Sequence, residues 1–281
     1  MKYVDDLSLA QAINLKECLV TNPDPNPQKP LAYHDRTNHI LPSHTYSLQR
    51  DLNNLSDYAK NHGMVVNTNK CKVMMFNTGK KYAGMPKLTL PGMGQGNLEV
   101  VERFKLLGVR IQSDLKWNDN TNYICQKGFL RLWILRRLKG LGATVSDLLD
   151  VYDKQVRAVL ELAVPVWQPA LTKSEARQIK RVQRSAFYVI LGEKYQNYDN
   201  ALSILGRETL EERRITLCQK FAKKTMRNPR YSNWFCQDYR VPHRTRGCKS
   251  KSTFNLKPVY KRTCRFENSP IPYMTNLLNN L

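Results

Sequence analysis

Thr172-Lys173-Ser-Glu175-Ala176-Arg177-Gln-Ile179-Lys180-Arg181-Val182-Gln-Arg184-Ser-Ala186 decides how the larger part of this chain folds. Ala176, Ile179, Val182 and Ala186 recur at spacings of three and four, so they share one face of an α-helix and need a packing partner. Lys173, Arg177, Lys180, Arg181 and Arg184 fill the opposite face. Thr172 and Glu175 stand three apart, the spacing at which a hydroxyl and a carboxylate cap a first helical turn reciprocally. Thr144 with Asp147 and Thr209 with Glu212 repeat that signature. Leu149, Tyr152, Val156, Val159 and Ala163 make a second apolar stripe. Residues 113–227 are therefore expected to form an all-α bundle. The basic face has two readings, a solvated helix surface or a track for phosphates.

The whole chain carries the same bias. Its 281 residues hold 45 Lys and Arg against 23 Asp and Glu, a formal charge of +22, with 41% hydrophobic content for a core. That excess disfavours an ordinary metabolic enzyme and favours a polyanionic partner, nucleic acid before a membrane surface. The seven cysteines (Cys18, Cys71, Cys125, Cys218, Cys236, Cys248 and Cys264) are odd in number and scattered. No disulfide framework is expected, and the compartment reads as reducing. Asp5, Asp6, Lys16 and Glu17 interrupt the segment where a secretory signal needs an apolar stretch. The longest apolar run, Val159 to Trp167, is broken by Glu161 and Pro165 and is too short to span a bilayer. The expected location is intracellular, nucleus or cytoplasm, neither secreted nor transmembrane.

Residues 1–112 read as a small α+β segment. The run Thr21-Asn-Pro-Asp-Pro-Asn-Pro-Gln-Lys-Pro30 excludes regular structure. Leu48, Leu52, Leu55 and Ala59 then mark one helix face, with Gly63 placed as an αL cap. Val65-Val66 and Val73-Met-Met-Phe76 are short β-type runs around the turn Asn67-Thr-Asn-Lys70. A further strand pair is expected from Leu88 to Leu90 and from Phe104 to Ile111, the small strands pairing antiparallel. Residues 228–281 are basic and poorly periodic. Sixteen Lys or Arg face one acid, Asp238, between Arg213 and Arg265, so a partly disordered tail is expected there, dispensable to the bundle. Cys236, His243, Cys248 and Cys264 are zinc-ligand types, but their spacing forms no paired knuckles.

Tyr3-Val4-Asp5-Asp6 adds chemistry at the other end. Two adjacent carboxylates behind an aromatic and a β-branched residue suit a tight hairpin turn, where they hold Mg²⁺, a hard cation that takes oxygen ligands. By itself the tetrapeptide reads equally as a solvated turn or a helix start.

Taken in order, these pieces resemble the reverse transcriptase of a non-LTR (LINE-type, jockey-like) retrotransposon, from its catalytic turn to its C-terminus. Tyr3-Val4-Asp5-Asp6 matches the family's Y-x-D-D motif. Gly63-Met-Val-Val-Asn67-Thr-Asn-Lys70-Cys-Lys-Val-Met-Met-Phe76 resembles the next motif, G-x-x-x-N-x-x-K-[TC]-K with an apolar strand. Phe104-Lys-Leu-Leu-Gly108-Val109 is similar to the primer-grip strand pair. Arg131-Leu-Trp-Ile-Leu-Arg-Arg137, Pro165-Val-Trp167, Arg181-Val-Gln-Arg184 and Leu205-Gly206 are similar to the helical thumb and C-terminal region. The likeness runs along essentially the whole chain.

The resemblance implies a fold of α+β followed by all-α. It would comprise part of a polymerase palm with a primer-grip-like hairpin (1–112), a thumb-like bundle (113–227) and a basic tail (228–281). The implied activity is RNA-directed DNA synthesis on a template–primer of RNA and DNA. Asp5 and Asp6 would be catalytic carboxylates and Mg²⁺ ligands in a two-metal transfer. Lys70 would protonate the pyrophosphate leaving group, although it reads equally as a surface lysine in a turn. Tyr3, Phe104 and Gly108 would lie against nucleic acid, Gly108 permitting close approach of the primer backbone. Phe104 and Gly108 also fit an ordinary hairpin with its aromatic turned inward. A third carboxylate, fingers and nucleotide pocket belong to segments that precede Tyr3 in that family, so the chain as given is expected to be a fragment that does not polymerise unaided. The alternative is a non-catalytic basic helical module that binds RNA or an RNA–DNA duplex. Trp117, Trp133, Trp167 and Trp234 are candidates for base stacking or for core.

Overall fold

The computed structural model describes residues 2–3, 42–76, 87–90, 97–235, 256–260 and 263–280. It is mostly helical with a few short strands, an α+β portion followed by helices. By contacts the chain divides into two units, one of residues 1–107 and 111–115, the other of 108–110 and 116–281.

In the first unit, strand β1 (Lys2–Tyr3) precedes helix α1 (Pro42–Asn61), which leads to β2 (Met64–Val65). Leu48 and Leu52 of α1 turn toward Leu88, Leu90 and Leu98, beside Val66, Cys71 and Val73. Ala59, on the same stripe, is buried. Gly63 follows the helix at φ +65°, where a side chain would be strained. Asn67 caps the 3₁₀ turn Thr68–Lys70, its side chain accepting from the Lys70 amide at 3.3 Å. The Gln49 amide bonds Thr89 in both directions, donating to its carbonyl at 2.8 Å and accepting from its N–H at 2.9 Å. A side chain here does for residues 87–90 what a strand neighbour does elsewhere.

The strand pairing differs from the expected antiparallel arrangement. β2 lies parallel to β1, with Lys2 opposite Met64 and Tyr3 opposite Val65. β3 (Lys72–Val73) lies parallel to β4 (Glu99–Val100), held also by an ion pair between Lys72 and Glu99. Parallel neighbours need a long crossover, and α1 supplies one for the first pair. Residues 88–90 do not pair with 104–111 either. That run folds on itself as β5 (Arg103–Leu106) and β6 (Val109–Gln112), which pair with each other. Only two residues join them, so they are antiparallel. Leu107 and Gly108 have φ of +48° and +87°, as a type I′ turn requires. Leu107 is a costly residue there, at roughly 1–2 kcal/mol.

The second unit is built on α2 (Asn118–Gly140) and α6 (Lys173–Leu191). Between them lie α3 (Val145–Val151), a π-helical stretch (Tyr152–Arg157), α4 (Ala158–Leu160) and α5 (Val164–Trp167). α7 (Tyr198–Leu205), α8 (Leu210–Arg227), α9 (Cys264–Glu267) and α10 (Pro270–Asn279) follow. All three expected capping boxes form, at Thr144/Asp147, Thr172/Glu175 and Thr209/Glu212. The second apolar stripe is displaced from the expected one. Leu148, Tyr152, Val156 and Leu160 are the fully buried residues, at a strict spacing of four. In a regular α-helix that spacing drifts by about 40° per step. The wider π turn absorbs the drift and keeps the four side chains on one face.

Part of the expected tail packs against the bundle. Leu256, Met274 and Leu278 are buried with Ala222 of α8 and Phe235. The Asn279 amide bonds the Leu256 backbone in both directions, at 3.0 and 2.9 Å. Cutting the chain at Asn228 would therefore strip apolar cover from α8, so the residues beyond 227 are not dispensable to the bundle. No helix among the described residues is long and apolar enough to cross a membrane.

α2 and α6 approach closely because residue 128 has no side chain. A Cβ on Gly128 would fall 2.8 Å from Val182 Cγ1 and 3.2 Å from Leu160 Cδ2. Gly128→Val is expected to destabilise the bundle by about 1–3 kcal/mol through overpacking. Urea unfolding followed by helical circular dichroism reads this as a lower midpoint, and an unchanged midpoint would contradict the packing described.

Candidate nucleic-acid interface

Helix α6 is fixed at both ends before it presents anything. At its start the Thr172 amide donates to Glu175 Oε2 at 2.8 Å, and Thr172 Oγ1 accepts from the Glu175 amide at 3.3 Å. At its end the Lys139 ammonium of α2 donates to the Val189 carbonyl at 2.6 Å and to that of Ile190 at 3.3 Å. A cation on the last carbonyls satisfies acceptors left open by the helix and opposes the negative end of its dipole. Along one side Ile179, Val182, Ala186, Phe187 and Ile190 are at most 2% exposed. Burial of this kind contributes about 1.5–3 kcal/mol per large side chain.

Lys173, Arg177, Lys180, Arg181 and Arg184 are all exposed on the other side, as the periodicity predicts. The stripe from 173 to 184 is about 16 Å long at 1.5 Å per residue. Phosphates along one DNA strand are spaced by about 3.4 Å of helix axis, so the stripe has the reach of four or five of them. The lone acid of α6, Glu175, is spent on the cap. Lys180 also packs, its ammonium 4.2 Å from the centre of the Tyr198 ring.

Four other arginines of the bundle are already matched. Arg157 meets Asp153 at 2.6 Å, Arg207 meets Asp153 at 2.9 Å, and Arg213 grips both oxygens of Glu161, one at 3.1 Å. Arg214 is buried and donates to Gln168 Oε1 at 2.6 Å, and burial lowers its pKa. Two members of the basic run that begins at Arg213 are thus engaged within the protein.

The remaining predicted site residues are distributed as follows. Asp5 and Asp6, with which Mg²⁺ was associated, lie outside the described residues. Among the described residues no group of three His, Cys, Asp or Glu side chains is placed to hold a metal ion. Tyr3 is in β1, and its backbone lies beside Val65, in the stretch that leads to Lys70. Lys70 is the exposed last residue of the 3₁₀ turn. Phe104 is half-buried in β5, and Gly108 is the second turn residue of the hairpin, where a Cβ would sit 3.1 Å from Leu162 Cδ2. Among the described site residues, the five basic residues of α6 share one exposed helix face. Of the tryptophans, Trp117 and Trp167 are buried, while Trp133 and Trp234 are exposed. Cys236, His243 and Cys248 lie outside the described residues, and Cys264 is exposed.

Two residues that position α6 were not singled out from the sequence. Lys139 is one. Gln183, 1% exposed, is the other: it accepts from Tyr198 Oη at 2.6 Å and from the Leu210 amide at 3.2 Å, and donates to the Glu208 carbonyl at 3.2 Å. Its sequence signal was a polar residue on the buried side of a helix, next to Val182. No protein-family model, no curated protein and no solved structure matches this chain.

The core beneath the interface has a pH signature. Burial pushes the Cys125 thiol up to about 11 from the ordinary 9.0, partly offset by the Arg214 and Arg181 guanidiniums, and pushes Cys218 up to about 12. Both thiols fold neutral, and only the unfolded chain gains by ionising them at lower pH. Their contribution to stability is whole below pH 9.0 and is lost as the pH rises through about 11 to 12. The urea midpoint is expected to fall across that window, and less steeply in a Cys125→Ala, Cys218→Ala variant. Equal slopes in the two proteins would contradict the assignment.

Proposed function

We propose that this chain is a nucleic-acid-binding part of a non-LTR retrotransposon reverse transcriptase, in which the helical bundle holds an RNA–DNA duplex or element RNA by its phosphates. The observation that carries the binding role is the face of α6, where Lys173, Arg177, Lys180, Arg181 and Arg184 are exposed together and the helix's one carboxylate is engaged in a cap. A row of cations on a rigid helix attracts a polyanion and gains the entropy of released counterions. It reads no sequence, because lysines and arginines meeting phosphates carry no information about base edges.

The polymerase identity rests on the residue likenesses from Tyr3 to Gly206. In that reading Asp5 and Asp6 hold Mg²⁺, Lys70 supplies a proton to the departing pyrophosphate, and the hairpin of Phe104 and Gly108 lies along the primer. The non-catalytic binding module is the same proposal without those steps.

Affinity for RNA and for duplex DNA is expected to fall by roughly 0.9 log unit per tenfold increase in salt for each duplex phosphate neutralised. Charge reversal of Arg177 and Arg181 is expected to weaken binding and to reduce that slope by about two or more. Both side chains are exposed, so the helical circular dichroism of the variant stays that of the parent. Filter binding that is absent, or independent of salt, would overturn the proposal.

A further inference from the structure

An open hollow of about 710 Å³ lies between α2 and the end of α6, lined among others by Arg136, Lys139, Tyr188, Glu193 and Tyr195. Its size falls within the range of small-ligand sites, about 300–1,000 Å³. Tyr188 is 61% exposed, so much of its ring is open to a ligand. Its ring meets that of Tyr195 edge to face, with centroids 5.5 Å apart at 78°, so the two orientations are fixed relative to each other. Tyr195 brings a hydroxyl that is buried and has no hydrogen-bond partner among the described residues. Lys139 is occupied with the Val189 and Ile190 carbonyls and serves as wall. Gly192, at φ +60°, gives it room, since a Cβ there would fall 2.5 Å from Lys139 Nζ. Arg136 is exposed and Glu193 is exposed, a cation and an acceptor at the same opening.

The hollow is not isolated from the basic face. Tyr188 stands four residues after Arg184, one turn further along the same side of α6. A strand whose phosphates follow Arg177, Arg181 and Arg184 delivers its next nucleotide there. An exposed ring offers a stacking surface to any base, Arg136 a partner for its phosphate, and the Glu193 carboxylate an acceptor for an exocyclic amino group. We infer that this hollow holds an unpaired nucleotide, one base stacked on Tyr188, at the end of the phosphate track. The inference rests on the nucleic-acid reading of α6 and adds to it a preference for a single-stranded end over a blunt duplex.

The test uses the full chain and two labelled RNA–DNA duplexes, one blunt and one with a four-adenine overhang, titrated by fluorescence anisotropy at several salt concentrations. The overhang is expected to bind about tenfold more tightly, the range that stacking one base on an aromatic supplies. Tyr188→Ala removes that gain, and Tyr188→Phe, which retains the ring, keeps it. Tyr188→Phe leaves the salt slope for the overhang unchanged, since neither ring neutralises a phosphate, and Tyr188→Ala leaves the slope for the blunt duplex unchanged. Equal affinity for the two duplexes with a steep salt slope would overturn this inference and leave the binding role of α6 standing. So would an overhang gain that survives Tyr188→Ala. Absence of binding to either duplex would overturn both.

Discussion

The second unit depends on the close approach of α2 and α6 at Gly128. With no side chain on that residue, Val182 of α6 and Leu160 of α4 reach the α2 backbone, and three elements meet at one point. The remaining contacts follow from that approach. Lys139, eleven residues further along α2, reaches the last carbonyls of α6. Gln183, beside Val182, reaches the start of α8 and the ring hydroxyl of Tyr198. A buried amide with three hydrogen bonds is stabilising where the same amide left unpaired costs about 1–3 kcal/mol. Packing and polar satisfaction therefore fix the same helix, and the fixed helix turns its basic side outward.

The distribution of charge separates the structural arginines from those available to a ligand. Asp153 and Glu161 gather Arg157, Arg207 and Arg213 into a partly buried cluster at the π turn. Each carboxylate serves more than one guanidinium, which stabilises the crowded segment Tyr152–Trp167 and leaves little attraction for an outside anion. On α6 the arrangement is the reverse, with five cations on the exposed side and the one acid turned to the helix start. A formal charge of +22 predicts a polyanionic partner in general, and on the proposed reading the α6 face is where such a partner would be met.

Local features were legible in the sequence and distant ones were not. The three capping boxes, the Gly63 cap and the two faces of α6 each depend on residues within a few positions of one another. The partners of Gln183 and Lys139 lie 15 to 51 positions away, so the neighbouring residues do not say which groups they meet. The buried stripe before α6 was misplaced by one residue at Leu148 and Leu160 because α-helical spacing was assumed across a π turn. Two-residue strands carry no alternation from which direction can be read, and the parallel pairing of β1 with β2 reflects the helix between them. The return of α10 onto α8 was hidden by the basic run before it, although Pro270 at the first helical turn and the apolar Met274 and Leu278 marked a packed helix. Of the candidate site, the five basic residues were found as one surface, and Tyr188 was not singled out because an isolated tyrosine has no periodic partner.

The central claim is that α6 meets nucleic acid with the face formed by Lys173 to Arg184. Lysine acetylation footprinting of the chain with and without an RNA–DNA duplex tests it most directly. The account predicts that Lys173 and Lys180 lose reactivity when the duplex is bound, while Lys154, 73% exposed, paired with Asp150 and not part of α6, keeps its own. Unchanged reactivity at Lys173 and Lys180 under conditions where the duplex is bound would contradict it.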